Sequence, residues 1–170
     1  MIKHFLLAIS LFVSFNLCAQ IQVSKLIGKN SSDFSIGFGA FLKASYPISE
    51  AADVTLEGGA NIFLLKDDPA YGWAVIPVKA GYRYTLNQTG TGFYIEPQVG
   101  YNVYGIDPDD NKFTGLILAG GAGYLFQPGG KIQFDLGLLF ESAFHKGGSA
   151  NYLSLRLTHN FSFRRRDSDY

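Results

Sequence analysis

The chain has one cysteine, Cys18, and no second thiol to pair with it. A disulfide framework is excluded, and stability has to come from elsewhere. Histidine is scarce, with three in 170 residues, and none has partner ligands at metal-site spacing. Charge of one sign is missing as well: 14 basic residues balance 14 acidic ones, so there is no basic stripe for nucleic acid. Although 47% of the chain is hydrophobic and 15% aromatic, no uncharged apolar run beyond the N-terminal region approaches the ~20 residues of a spanning helix. The longest candidate, Gly115 to Phe126, is too short and too rich in glycine. A membrane crossing by this chain would have to be made by strands. Helical periodicity, internal repeats and an interdomain linker are also lacking.

What is present begins with a leader. In MIKHFLLAISLFVSFNLCAQ, Lys3 and His4 precede an apolar run from Phe5 to Val13, and the small residue Ala19 stands before Gln20. That pattern predicts a signal peptide over 1–19, removed after Ala19. Phe15, Asn16 and Leu17 precede Cys18 where a lipidation signal would want small residues, so a lipid anchor is not expected. Residues 20–163 are then one domain, and 164–170 form a short polar tail.

That domain alternates with a period of two. Ile132, Phe134, Leu136, Leu138 and Phe140 stand against Lys131, Gln133, Asp135, Gly137 and Glu141, as in a strand with one apolar and one polar face. The rhythm recurs about eight times: a weak strand at 21–27, then 34–46, 53–64, 74–84, 93–103, an apolar stretch of ambiguous register at 113–126, 131–141 and 153–163. Polar or glycine-rich turns separate them. Strands of this length, even in number, predict an all-β fold: an eight-stranded antiparallel up-and-down transmembrane β-barrel in the cell outer membrane, preceded by a cleaved signal peptide. Pro77 and Pro97 fall inside strands and cannot donate to the ladder; each marks either a local bulge or a misplaced strand boundary.

Aromatic residues gather at strand ends, with Tyr46, Tyr84, Phe93, Phe126 and Phe161 near one set of turns and Trp73, Tyr104 and Phe140 near the other. They are expected to form interfacial girdles. The polar face mixes glycine and serine with Glu57, Glu96, Asp135 and Glu141, set against Lys43, Lys79, Arg83 and Arg156. An eight-stranded lumen is only wide enough to be filled by side chains, so these charges are expected to pair there and plug it.

The chain resembles the small outer-membrane β-barrels of Gram-negative bacteria, the porin-family and OmpA-like transmembrane group. The resemblance spans Gln20 to Phe163 and is carried by the leader ending in Ala19-Gln20, by the stretches Ile76 to Tyr84 and Tyr94 to Tyr101, and by the last strand. It implies that Arg156, Phe161 and Phe163 form the signal read by the barrel insertion machinery, although Thr158 stands where glycine is usual and the tail runs past the terminal aromatic. It also implies a monomer in contact with outer-membrane lipid.

The candidate chemistry is thin. Asp107, Asp109 and Asn111 begin like a calcium loop, but Lys112 replaces the glycine and Leu118 the bidentate glutamate. His145, Ser149 and Glu141 suggest a hydrolase of the lipid-modifying kind, though the four-residue His–Ser spacing differs from that of the barrel deacylases they resemble. His159 is expected at the periplasmic rim, Gly120 to Gly123 in the barrel wall, and Arg164 to Arg166 in the solvated tail. The expectation is a non-enzymatic barrel with no cofactor or metal and a structural or surface-interaction role. The alternatives are a soluble lipocalin-like barrel around an apolar ligand and a lipid-modifying enzyme.

Overall fold

Alternation places side chains on two faces, but a strand's backbone N–H and C=O groups still need partners, and only a closed sheet leaves no edge. The computed structural model describes residues 16–28, 31–68, 71–87, 90–106, 114–129, 132–146 and 148–161. Its eight strands are β1 (Asn16–Ile27), β2 (Phe34–Pro47), β3 (Ala52–Leu65), β4 (Gly72–Thr85), β5 (Gly92–Ile106), β6 (Gly115–Gly129), β7 (Ile132–His145) and β8 (Gly148–Phe161). Neighbours in sequence pair antiparallel, and β8 returns to β1 to close the barrel.

The register fixes the barrel's shape. Paired residues followed from Leu17 run through Ala44, Leu56, Ala80, Val99, Leu118, Ser142 and Asn151, and return to β1 at Ile27, ten residues further along. For eight strands that offset tilts each by about 40° to the barrel axis. The β1–β2 turn uses Gly28 at φ 96° and the β4–β5 turn Gly92 at φ 88°, a left-handed backbone that glycine adopts without strain.

The structure moves two boundaries and decides one register. β1 starts at Asn16 rather than near Ile21, because backbone pairing with Ser45 continues where the hydrophobic alternation has faded. Its first residues overlap the end of the expected leader; the rest of the leader, Phe163 and the tail lie outside the described residues. β8 starts at Gly148 rather than near Leu153, because its pairing with β7 continues to His145–Gly148, and it is described to Phe161. On β6, Ile117 and Leu125 turn inward while Leu116, Leu118, Gly120, Ala122 and Phe126 face out.

The two prolines behave differently. Ile76 pairs with Tyr104 but Pro77 with Asn102, so Val103 is an extra residue and β5 bulges, turning both Val103 and Tyr104 outward. Pro97 causes no shift. The β5–β6 ladder runs through Pro97 and Gly120, whereas the β4–β5 ladder breaks between Gly81–Gln98 and Tyr84–Ile95, so the missing N–H faces β4.

Candidate functional site

Alternation alone does not say which face is inside; closure does. Ile21 and Leu42 are each 62% exposed and Leu155 54%, whereas Glu57, Glu96, Asp135, Glu141, Lys43, Lys79, Arg83 and Arg156 are all 4% exposed or less. The charged face lines the lumen and the apolar face coats the exterior. A lipocalin-like barrel needs the reverse arrangement, and that reading is removed.

Within the lumen the eight charges form one connected system. Glu96 on β5 is its hub. Lys43 Nζ donates to both of its carboxylate oxygens at 2.6 and 2.8 Å, Thr55 Oγ1 at 2.8 Å and Gln98 Nε2 at 3.2 Å. Arg156 Nη2 makes a close charge-assisted bond to Glu96, and Arg83 Nη2 lies 3.4 Å away. Lys79 bridges Glu57 at 2.7 Å and Glu141 at 2.6 Å. Arg83 continues to Asp135 at 2.8 Å, where Tyr94 OH also donates at 2.5 Å. Glu57 further sees Lys43 at 4.0 Å and Arg156 at 3.7 Å. Each cation therefore contacts at least one carboxylate, and the four cations and four anions buried among the described residues sum to zero. A buried charge left without a partner is strongly destabilising, so neutrality is a condition for packing these groups together.

The glycines of the polar phase make the room. A Cβ on Gly123 would sit 2.6 Å from Tyr94 Cζ, and one on Gly137 2.6 Å from Tyr94 OH and 2.9 Å from Arg156 Nε. Gly123 and Gly137 are directly paired, so together they open a slot for the Tyr94 phenol opposite Asp135.

Above the charges, toward the 66–71 and 146–148 connections, the lumen is closed by an apolar cluster of Leu26, Phe63, Trp73, Val75, Ile117, Ala143 and Tyr152. Phe63 stacks on Trp73 at 5.0 Å between centroids, and Tyr152 meets both rings edge-on. Tyr152 OH donates to Glu141 at 3.2 Å, joining cluster and charges. This corrects one sequence expectation: Trp73 is not a girdle residue, since it is only 7% exposed and points inward. Proximity to a strand end suggested the membrane interface, but Trp73 follows the inward phase of β4. Tyr46, Phe93, Tyr104, Phe126 and Phe140 do face outward and Tyr84 is half-buried on the same face. Phe161 is placed by its pairing with Ile132 and Leu17.

Pattern reading missed Thr55, Phe63, Tyr94, Gln98 and Tyr152. The available signal was aromatic residues on the polar phase: Phe41, Phe63, Tyr94 and Tyr152 all break the alternation and all are buried inside.

The other candidates do not assemble. Glu141 is locked to Lys79 and Tyr152 inside the barrel, while Ser149 is exposed and lies opposite Phe144 on the outward phase, so the two are on opposite sides of the wall. Asp107, Asp109, Asn111 and Lys112 lie outside the described residues; Leu118, where the calcium loop would want glutamate, is an outward residue of β6. His159 packs edge-on against Phe134 at 5.1 Å on the outer wall. Among the described residues no group of three His, Cys, Asp or Glu could hold a metal ion.

No family model and no curated protein sequence matches the chain. Solved structures do. The crystal structure of Neisserial surface protein A aligns with a TM-score of 0.70 at 14% identity, covering 88% of this chain and 97% of that one. The fold is that of the small eight-stranded outer-membrane barrels. The crystal structure of Ail, the attachment invasion locus protein of Yersinia pestis, shares this barrel with a TM-score of 0.56 at 14% identity, over 86% of this chain and 97% of its own. Ail in a phospholipid bilayer nanodisc gives 0.51 at 16% identity, over 86% and 99%.

Proposed function

We propose that the protein is a sealed, non-enzymatic barrel of the Gram-negative outer membrane, with a structural or surface-interaction role presented by its short outward connections. The observation that carries this reading is the inversion of polarity: an apolar exterior around a neutral lumen in which every buried charge meets an opposite one, capped by Phe63, Trp73 and Tyr152. Such an exterior is stable in lipid and insoluble in water, and a lumen filled by side chains conducts nothing. The leader routes the chain to the periplasm, where Arg156, Phe161 and Phe163 at its C-terminal end are the segment the insertion machinery reads. Outer-membrane lipid is its standing partner.

The test combines gel migration and conductance. Protein extracted from the outer-membrane fraction should run faster unboiled than boiled, and in planar bilayers it should leave the baseline current unchanged. Recovery in the soluble fraction with no heat shift would overturn the membrane reading. Discrete channels would overturn the seal.

A further inference from the structure

Toward its outer end, the apolar belt of the outer wall is interrupted by a row of polar residues. On β7, β8 and β1 the outward residues at one level are Ser142, Asn151 and Lys25. Phe140, Leu153 and Val23 face out one step inward of them, and Phe144 and Ile27 one step further out. Ser142 and Asn151 are directly paired, and Ser142 Oγ lies 2.7 Å from Asn151 Oδ1. Lys25 reaches toward the outer rim, its Nζ donating to the carbonyls of Phe34 and Ser35 at 3.0 Å each, at the outer end of β2.

The opposite wall differs at the same height. Because paired positions climb ten residues in one circuit, the level line falls behind the pairing by about 1.25 residues per strand. With that correction the row is level with Phe38, Ile62, Ile76, Val103 and Leu116, all exposed and apolar. β3, β4 and β5 remain apolar one step further out, through Leu64, Ala74 and Tyr104. One step is two residues, or about 5 Å along the barrel axis at this tilt. At the inner end, the outward phase runs through Leu136 and Leu157, and His159 packs edge-on against Phe134. On this wall the first polar interruption of the belt comes one step lower than on β3, β4 and β5.

An ammonium, an amide and a hydroxyl are costly in hydrocarbon and stable among headgroups, and a lysine stem bent toward the rim is how that residue keeps its charge at an interface. We propose that Ser142, Asn151 and Lys25 mark the line where the polar headgroup layer of the outer leaflet meets this wall, so that the barrel sits inclined with its β7–β8–β1 side raised about 5 Å toward the outer surface relative to its β3–β5 side. Across a barrel about 16 Å in backbone diameter this is an inclination of roughly 15°. The proposal rests on the outer-membrane reading above.

The test is depth measurement on protein produced with Cys18→Ser in its precursor, so that no native thiol remains whether or not the leader is removed, and reconstituted in phosphatidylcholine–phosphatidylglycerol vesicles. Nitroxides are attached at Ser142→Cys, Asn151→Cys, Ile62→Cys and Ile76→Cys, with Leu56→Cys and Leu138→Cys as mid-belt controls. Relative accessibility to oxygen and to a nickel chelate should place positions 142 and 151 about 5 Å shallower than 62 and 76, with both controls deep. Equal depth at all four test positions would overturn the proposal. Labels at 142 and 151 shielded from both reagents would overturn it in favour of a second copy covering this wall. Controls open to the nickel chelate would sink the membrane reading and the proposal with it. In a Ser142→Leu/Asn151→Leu background the labels at 62 and 76 should shift as the belt levels, and no shift would show that the row does not set the inclination.

Discussion

Replacing Glu96 by glutamine should destabilise the barrel more than any other single change in the lumen that conserves side-chain shape. Glu96 is contacted by Lys43, Arg156 and Arg83 and accepts hydrogen bonds from Thr55 and Gln98. Glutamine keeps the volume and one acceptor but removes the charge, so the lumen changes from four cations against four anions to an excess of one cation. Lys43 is then left with Glu57 at 4.0 Å and Arg156 with Glu57 at 3.7 Å, distances at which neither makes a charged hydrogen bond. Removing one partner of a buried pair costs about 3–5 kcal/mol, because the remaining charge is stranded. The double variant Glu96→Gln/Lys43→Met restores neutrality and should recover about 2 kcal/mol or more of that loss, a coupling expected only of groups in one network. The assay is urea unfolding of the reconstituted protein, followed by the heat-modifiable gel shift and by fluorescence of Trp73, the single tryptophan. A Glu96→Gln variant within about 0.5 kcal/mol of the parent, or strictly additive effects in the double variant, would refute the network as a unit.

Phe63→Ala removes the ring that stacks on Trp73 and should cost about 3–5 kcal/mol by opening a cavity in the cap, measured by the same unfolding curves. Trp73 emission should resist quenching by brominated acyl chains because the indole is inside the lumen; efficient quenching would place it on the lipid face. Gly123→Val should impair folding, since its Cβ would meet the Tyr94 ring, whereas Gly120→Ala has nothing within 4 Å and should fold like the parent; refolding yields in detergent compare the two. N-terminal sequencing of protein from the outer membrane should begin at Gln20, leaving β1 with the pairs from Gln20 to Ile27, and a start at or before Asn16 would refute the expected cleavage point.

The legibility of each element followed how strictly its two faces differ in polarity. β7 was readable because apolar and polar residues alternate almost without exception from Phe134 to Glu141, and β8 likewise from Leu153 to Asn160. β6 was not readable: glycine, alanine and leucine fall on both phases, so nothing in the string distinguishes inward Ile117 from outward Leu118. The start of β1 was invisible for a related reason, because its pairing with β2 and β8 is made by backbone groups that every residue carries. Trp73 was misplaced because closeness to a strand end says how high a residue sits in the wall and not which way it points.

By itself the sequence determined the period of two, the number of strands, the lack of any apolar run beyond the N-terminal region long enough for a spanning helix, and the charged residues that share one phase. All of these are local properties, fixed by the alternation of Cβ directions along an extended chain. The tertiary structure decided which face is inside, that Glu96 is the hub, and that Tyr94 reaches Asp135 through a slot between Gly123 and Gly137. Glu96 lies 53 positions from Lys43, 60 from Arg156 and 41 from Thr55, and Tyr94 lies 41 from Asp135; these contacts exist only once β8 has paired with β1 and the ten-residue offset has brought particular side chains to the same height across the lumen.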